Sequence, residues 1–508
     1  MMRRLDRAAI DGLGIPSAEL MENAGRGIAE RLLDRELPTP SASTVVVFCG
    51  KGNNGGDGFV VARYLAQTKA DVHVYFLGPI DKLSPDGKLN FDRAAGQGIT
   101  LTEVATIADL PAELECDIIV DAIFGTGFEG APRGLAGELI EYINRQHATI
   151  VAVDLPSGLN ADTGTFEGAV VYADQTYTLA LPKFGLFVSP GREIAGDVEV
   201  VPIGIPNDLV ESHNLKVNLT TATFVRETLP ERKPDGHKGD FGRVLIIAGS
   251  TGLTGAAALA GESALRTGSG LVKVACPRTV QPVLATKLTE VMTYPVPDVG
   301  KKGALALRAL GGLRELIKEH DAVVIGPGIG RHRETFELVR RLVSKIDKPT
   351  IIDADGLNAL AGHPEILKHC PSLLVLTPHP GEFARLSGTT APPESYIQER
   401  ADCTIKFATD HGVVLVLKGS PTLVASPDGE CYLNPTGNDG MASGGAGDVL
   451  SGIVGSLLGQ HIPAFEAAVA AVYLHGLAGD FAAEIKTRRA MIAGDLIASL
   501  PEVFQVIE

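Results

Sequence analysis

The sequence predicts an α/β protein of two domains. Three observations carry that expectation. Short runs rich in β-branched residues alternate with longer stretches of helical spacing. Those runs are apolar throughout, which suits strands covered on both faces of a parallel sheet. The alternation lapses over residues 206–240 and then restarts, and the chain has 508 residues, where a prior of about 150 per domain gives two to four.

Leu5, Ile10 and Leu13, then Leu20, Ile28 and Leu32, predict two N-terminal helices split near Gly12–Pro16. Strands are expected at Thr44–Cys49, Asp71–Phe76, Asp117–Ala122 and Thr149–Asp154, with a helix over Phe59–Gln67. The polar, Pro- and Gly-punctuated stretch after residue 206 puts the boundary near 215–235. The domains are therefore expected at 1–215 and 225–508. In the second half strands are expected at Arg243–Ala248, Leu271–Ala275, Ala322–Gly326, Pro349–Asp353, Leu373–Thr377 and Val413–Leu417. Residues 277–304, broken by Pro and Gly, read as a long irregular connection, and Val449–Leu458 as an apolar helix. The halves share a style, strand then Gly loop, without a sequence repeat.

Composition narrows the function. Lys+Arg number 45 against 61 Asp+Glu, a formal charge of −16, and Trp is absent. Such a chain is a poor non-specific binder of nucleic acid or anionic membrane. Six Cys (49, 116, 276, 370, 403 and 431) form no C-x-x-C and lie partly in apolar runs. They read as reduced thiols of a cytoplasmic protein, with neither a disulfide framework nor a zinc site. The start, MMRRLDRAAID, has no apolar core of a signal peptide, and the uncharged stretch Val244–Gly261 is broken by Gly, Ser and Thr as strand–loop–helix is. A homo-oligomer is compatible with all of this. Gly is in excess, 59 residues of 508, and such loops bring backbone close to ligands.

Three loops in the first half fall at expected strand ends: GKGNNGGDG at 50–58, DAIFGTG at 121–127 and VDLPSG at 153–158. A single Gly loop is also how a tight strand–helix turn looks, and a single Asp there also caps a turn. Three on one sheet edge converge on one crevice, where ligands of open α/β sheets bind. The first loop is neither G-x-G-x-x-G nor a P-loop. Asn54, Asp121 and Ser157 offer only hard oxygen ligands, which suit an alkali or alkaline-earth cation. Lys183, in LPKFGL, reads first as a surface lysine and second as an electrostatic partner.

Together these motifs resemble the N-terminal domain of the YjeF family, the NAD(P)H-hydrate epimerases, over roughly residues 1–215. The resemblance implies a Rossmann-like α/β/α sandwich. It implies that Asn53, Asn54, Gly55, Gly56 and Asp57, with Gly125, Thr126, Gly127, Phe128, Glu129, Gly130 and Ala131, hold the hydrated dinucleotide. Asp154 would contact it and act as acid or base, and Asn54, Asp121 and Ser157 would hold potassium.

In the second half NPTGNDGMASGGAGD (434–448) precedes the apolar helix. Backbone N–H groups of Gly444, Gly445, Ala446 and Gly447 at a helix start make an anion hole. Asp448 could cap that helix, or serve as base for a hydroxyl attacking a phosphoryl group. The stretch resembles the G-A-G-D motif of ribokinase-like folds. With HKGDFGRVLIIAGS (237–250), GPGIG (326–330), DADGLNAL (353–360), TPHPGEFARL (377–386) and LKGSPT (417–422), the whole half resembles the ADP- or ATP-dependent NAD(P)H-hydrate dehydratases.

That resemblance implies ADP as co-substrate and magnesium as cofactor. Lys418, Gly419, Ser420, Pro421 and Thr422, with Gly447, would line the nucleotide. Gly255, Gly328, His379 and Asp448 would touch the hydrate. Glu382 is a magnesium-side carboxylate in this reading, and Asp353 and Asp355 are supporting groups. The implied activity is epimerisation of R and S NAD(P)H hydrates joined to dehydration of the S form, ADP giving AMP and phosphate. Two alternatives fit the same motifs: a small-alcohol kinase with a fused binding module, and a first half that only senses a ligand.

Overall fold

The computed structural model describes residues 2–370 and 372–508. The chain passes from one compact unit to the next between Leu215 and Lys216.

The first unit is built on seven strands: β1 (Thr44–Cys49), β2 (Asp71–Leu77), β3 (Thr100–Val104), β4 (Ile118–Ala122), β5 (Thr149–Val153), β6 (Gln175–Leu179) and β7 (Asp197–Val201). Their order is β3-β2-β1-β4-β5-β6-β7, and every pair is parallel. The order reverses between β1 and β4, so a crevice opens at their carboxyl ends. Val45, Val47 and Cys49 of β1 enter one apolar core, and Val46 and Phe48 enter the core on the opposite face. Burial on both faces is why the strand sequences show no polar alternation.

The helices Met2–Arg7 and Ser17–Arg35 bracket the expected break. The helix after β1 spans Asn53–Gln67, starting well before the expected Phe59. Glycine is a poor helix former, but here it allows close approach. A Cβ at Gly58 would lie 2.6 Å from Ala122 Cβ, and one at Gly55 would lie 1.9 Å from the Gly50 carbonyl oxygen.

The second unit holds β8 (Val217–Leu219), β9 (Arg243–Ile247), β10 (Leu271–Pro277), β11 (Met292–Val296), β12 (Ala322–Ile325), β13 (Thr350–Ile352), β14 (Leu374–Leu376), β15 (Val414–Leu417), β16 (Leu423–Ala425) and β17 (Cys431–Leu433). The order is β11-β10-β9-β12-β13-β14-β15-β16-β17-β8, with only β16 antiparallel to its neighbours. Residues 216–224, left between the expected domains, thus carry a strand of this sheet. The stretch 277–304 is not irregular throughout: it holds the helix Gln281–Lys287 and β11. Pro295 is tolerated there because β11 is an edge strand.

The helix Ala446–Gly459 packs along the helix Thr254–Arg266. The helix Ala464–Lys486 is the one among the described residues long and apolar enough to cross a membrane. Its residues Ala467–Leu474 belong mostly to the apolar core of this unit.

Candidate active sites

In the first unit the loops after β1, β4 and β5 converge. Asn53, Asn54, Asp57, Gly125 and Asp154 line one cavity of about 1090 Å³, as do Thr126, Gly127 and Phe128. Gly55 and Gly56 are buried beside it, and Glu129, Gly130 and Ala131 lie outside its lining. A Cβ at Gly125 would sit 2.8 Å from Asn54 Oδ1 and 3.0 Å from Asp154 Oδ2. Only glycine lets those three loops meet.

Asp154 takes a left-handed backbone, φ +67°, which costs a non-glycine residue of order 1–3 kcal/mol. The surroundings that hold it there are specific. Its Oδ2 accepts from Thr126 N at 3.0 Å and from the Thr126 hydroxyl. Its Oδ1 accepts from Lys183 Nζ at 2.5 Å and Leu179 N at 3.3 Å. Burial alone would raise its pKa, but Lys183 and Thr126 outweigh that and hold it below the usual carboxylate range. Asp154 is thus a buried, ionised carboxylate.

Lys183 is 6% exposed, so it is not the surface lysine that its neighbours in sequence suggest. Its ammonium also donates to Thr178 Oγ1 at 2.9 Å and to the Leu179 carbonyl at 2.6 Å. The sequence hid this because the partner carboxylate lies on another strand end. Asp57 and Asp6, the latter on the first helix, also line the cavity. Burial raises both, with Asp154 adding like charge. Asp6 carried no motif that would have found it.

Asp121, at the end of β4, is fully buried. Its Oδ1 accepts from Ser157 Oγ at 2.6 Å, and its Oδ2 from Ser157 N at 2.7 Å. Burial pushes its pKa up to about 6 despite these bonds. A carboxylate so enclosed with a hydroxyl matches a hard cation's needs. Asn54, whose buried amide nitrogen has no hydrogen-bond partner, brings its Oδ1 against Gly125, on the loop that follows Asp121.

In the second unit the mouth of the helix Ala446–Gly459 is the focus. Gly445 precedes it with φ +104°. Asp448 lies inside the first turn, so it is not the N-cap. Lys418 Nζ reaches Asp353 Oδ1 at 3.0 Å and Glu382 Oε2 at 3.8 Å. A Cβ at Gly447 would lie 3.5 Å from that ammonium. The loops after β13 and β15 thus meet the helix mouth.

Burial raises the Asp448 pKa to about 7, with the Asp353 and Glu382 charges adding to the rise and Lys418 opposing it. A half-buried carboxylate near neutrality beside an ammonium is poised to accept a proton. Asp353 is more than a distant support: its Oδ2 accepts from Ser451 Oγ at 2.7 Å, tying Lys418 to the helix. Asp355 instead pairs with Arg331 at 3.2 Å.

His379 caps the helix Pro380–Ser387: its Nδ1 accepts from Gly381 N at 3.0 Å, and its own N–H donates to Glu382 at 2.9 Å. It is therefore anchored to the carboxylate facing Lys418. Gly328, φ +61°, leaves no room for a side chain: a Cβ would lie 2.6 Å from the Leu253 carbonyl oxygen and 3.0 Å from Ala256 Cβ, residues that flank Gly255 in the chain. Within the expected nucleotide loop, Ser420 N donates to Glu394 at 2.8 Å and the Lys418 carbonyl accepts from Arg400 at 2.8 Å.

The profile of the NAD(P)H-hydrate dehydratases matches residues 244–502, and that of the YjeF-related protein N-terminus matches residues 17–185. The bifunctional NAD(P)H-hydrate repair enzyme Nnr of Moorella thermoacetica is 47% identical over 100% of this chain and 96% of its own length. That of Escherichia coli is 37% identical over 99% of this chain and 92% of its own. The chain belongs to the bifunctional NAD(P)H-hydrate repair enzyme family. Among solved structures, the ADP/ATP-dependent NAD(P)H-hydrate dehydratase of Bacillus subtilis, co-crystallised with ATP and magnesium, is 33% identical. It covers 58% of this chain and 100% of its own, with a TM-score of 0.49.

Besides Asp6, two residues of the second unit have no signal in the sequence reading. His475 Nε2 lies 2.9 Å from the Ala446 carbonyl oxygen, at the start of the helix Ala446–Gly459. Burial lowers its pKa to about 4, so it is a neutral ring that donates from Nε2. Ser451 sits one helical turn after Asp448 and faces the same loops.

Proposed function

We propose that the chain is a bifunctional repair enzyme: the first unit interconverts the R and S hydrates of NAD(P)H, and the second dehydrates the S form with ADP. Supporting this is a family match over the whole chain. The observation that carries it is Asp448, near neutrality, at a helix mouth beside the Lys418 ammonium.

Asp448 takes the proton of the substrate hydroxyl. The hydroxyl oxygen attacks the terminal phosphorus of ADP, and AMP leaves. Lys418 and the N–H groups of Gly444–Gly447 hold the charge on the transferred phosphoryl group. The C–O bond then breaks with the phosphate as leaving group, the ring nitrogen supplies the electron pair, and loss of a proton from the adjacent carbon gives NAD(P)H. Glu382, with phosphate oxygens, would hold a magnesium ion that offsets phosphoryl charge; magnesium needs only one or two carboxylates besides phosphate.

In the first unit, inversion at the hydroxyl-bearing carbon needs a proton moved at that hydroxyl. Asp154, kept ionised by Lys183, is the group that takes it. Asp121, Ser157 and Asn54 would hold potassium; the buried carboxylate and hydroxyl fit such an ion.

The test is incubation of the full chain with mixed epimers, magnesium and potassium, with and without ADP. Asp448→Asn should lower NAD(P)H formation by about 10²–10⁴-fold, the usual range for a general base, and leave epimer exchange intact. Wild-type turnover in that variant would remove Asp448 from the role. A stable phosphorylated product would favour the kinase alternative.

A further inference from the structure

The cavity of the first unit runs along the carboxyl edge of the sheet, from the ends of β3 and β2 to those of β5 and β6. Its chemical end is fixed by Asp154 and Lys183. The β2 end lies three strand positions from β5, roughly 14 Å at the ~4.8 Å spacing of neighbouring strands. An extended dinucleotide places its reacting ring and its adenosine ribose at opposite ends of such a span.

Doubly wound sheets that bind dinucleotides commonly read that ribose at the end of the second strand. A carboxylate there accepts from a free 2′-hydroxyl, and a cation accommodates a 2′-phosphate. In this chain β2 runs out into Leu77-Gly78-Pro79, without a carboxylate at the turn. Lys51 lies across Gly78 instead. A Cβ built at Gly78 would lie 2.6 Å from Lys51 Cε and 3.0 Å from its Nζ. The ammonium thus fills the space that a side chain at position 78 would take. Gly78 has φ +74°, which disfavours any other residue.

Lys51 and Gly78 both line the cavity. Of the other cations in its lining, Lys183 is spent on Asp154, and Arg133 lies on the loop after β4, two strands from β2. Among the described residues Lys51 forms no ion pair, so its charge is available to a ligand. Glu103, on β3, and Asp86, in the first turn of the helix Pro85–Gly96 that follows β2, also line the cavity. Either carboxylate would favour a free diol if it, rather than Lys51, met the ribose.

Resting on the epimerase reading, we propose that Lys51 binds the 2′-phosphate of the adenosine ribose, so that the first unit prefers the hydrate of NADPH to that of NADH. A hydrogen bond to a charged group is worth roughly tenfold or more in affinity.

The experiment measures R-to-S exchange by the full chain without ADP, which leaves the dehydration step silent. Wild type should favour NADPH hydrate by roughly tenfold or more in kcat/KM. Lys51→Gln should bring that ratio close to one by raising KM for NADPH hydrate, with kcat held within about twofold. Lys51→Arg should restore the preference. Equal KM increases for both hydrates would overturn the proposal, since Lys51 would then serve the shared pyrophosphate. A wild type that favours NADH hydrate, or shows no preference, would overturn it too. Absence of any exchange in the wild type would instead remove the epimerase reading. The contact is then read by the binding of NADP⁺ against NAD⁺ to wild type and Lys51→Gln, where an unchanged ratio overturns it.

Discussion

Asp154 and Asp448 are both withdrawn from water, yet their surroundings drive them in opposite directions. Asp154 has a lysine at 2.5 Å and three further donors, so it stays ionised well into acid. Asp448 shares its lysine with Asp353 and Glu382, and burial plus those charges lift it to about 7. The sign of the pH effect follows. A base works only when deprotonated, so dehydration should lose about tenfold in kcat/KM, which reports the free enzyme, per pH unit below about pH 7 and level off above it. Epimer exchange has its base, Asp154, held low, so any break it shows should track Asp121, at about 6, rather than the Asp448 value. Initial rates of both reactions across pH 5 to 9 in one buffer series would check this. Coincident breaks would mean that a single group, or a step common to both, sets the two profiles.

At the scale of elements, glycine decides how closely neighbours approach. Gly452, inside the helix Ala446–Gly459, lies against the helix Thr254–Arg266: a Cβ there would meet Ser263 Oγ at 2.0 Å and the Ala260 carbonyl oxygen at 2.2 Å. Gly452→Ala should force these helices apart at a cost of about 1–3 kcal/mol. A fall in the Tm of the second unit, with kcat for dehydration reduced because Asp448 rides on the same helix, is the expected readout from calorimetry and rates. An unchanged Tm would mean that the helices yield freely. The same feature explains what could be read in advance. Strands such as Thr44–Cys49 were legible because burial on both faces makes them uniformly apolar. The helix start at Asn53 was not, because Gly55, Gly56 and Gly58 argue against a helix until their packing partners are known. The strands Leu423–Ala425 and Cys431–Leu433 are too short to show a period. Asp154 and Asp448 stood out because each sits in a dense local motif. His475 and Ser451 do not, and Lys183 reads as an electrostatic partner only second to a surface lysine, because their partners lie on other elements and only the fold brings them together.

At the scale of the molecule, one chain carries two sheets, each with its own apolar cores and its own site. Chemistry gives a reason for the pairing. A dehydratase whose pocket is chiral accepts one configuration at the hydroxyl-bearing carbon and leaves the other behind. An epimerase in the same chain keeps feeding the usable form, so no hydrate accumulates. Because each unit encloses its own core, each should fold when expressed alone, as 1–215 and 216–508. The first fragment should interconvert the epimers without nucleotide. The second, with ADP and magnesium, should convert about half of an equilibrated mixture rapidly and then stall, apart from any spontaneous epimerisation. Adding the first fragment should release that stall, with a rate proportional to the amount added. Complete conversion by the second fragment at one uniform rate would show that its pocket does not discriminate, and the reason offered here for joining the two units would fail.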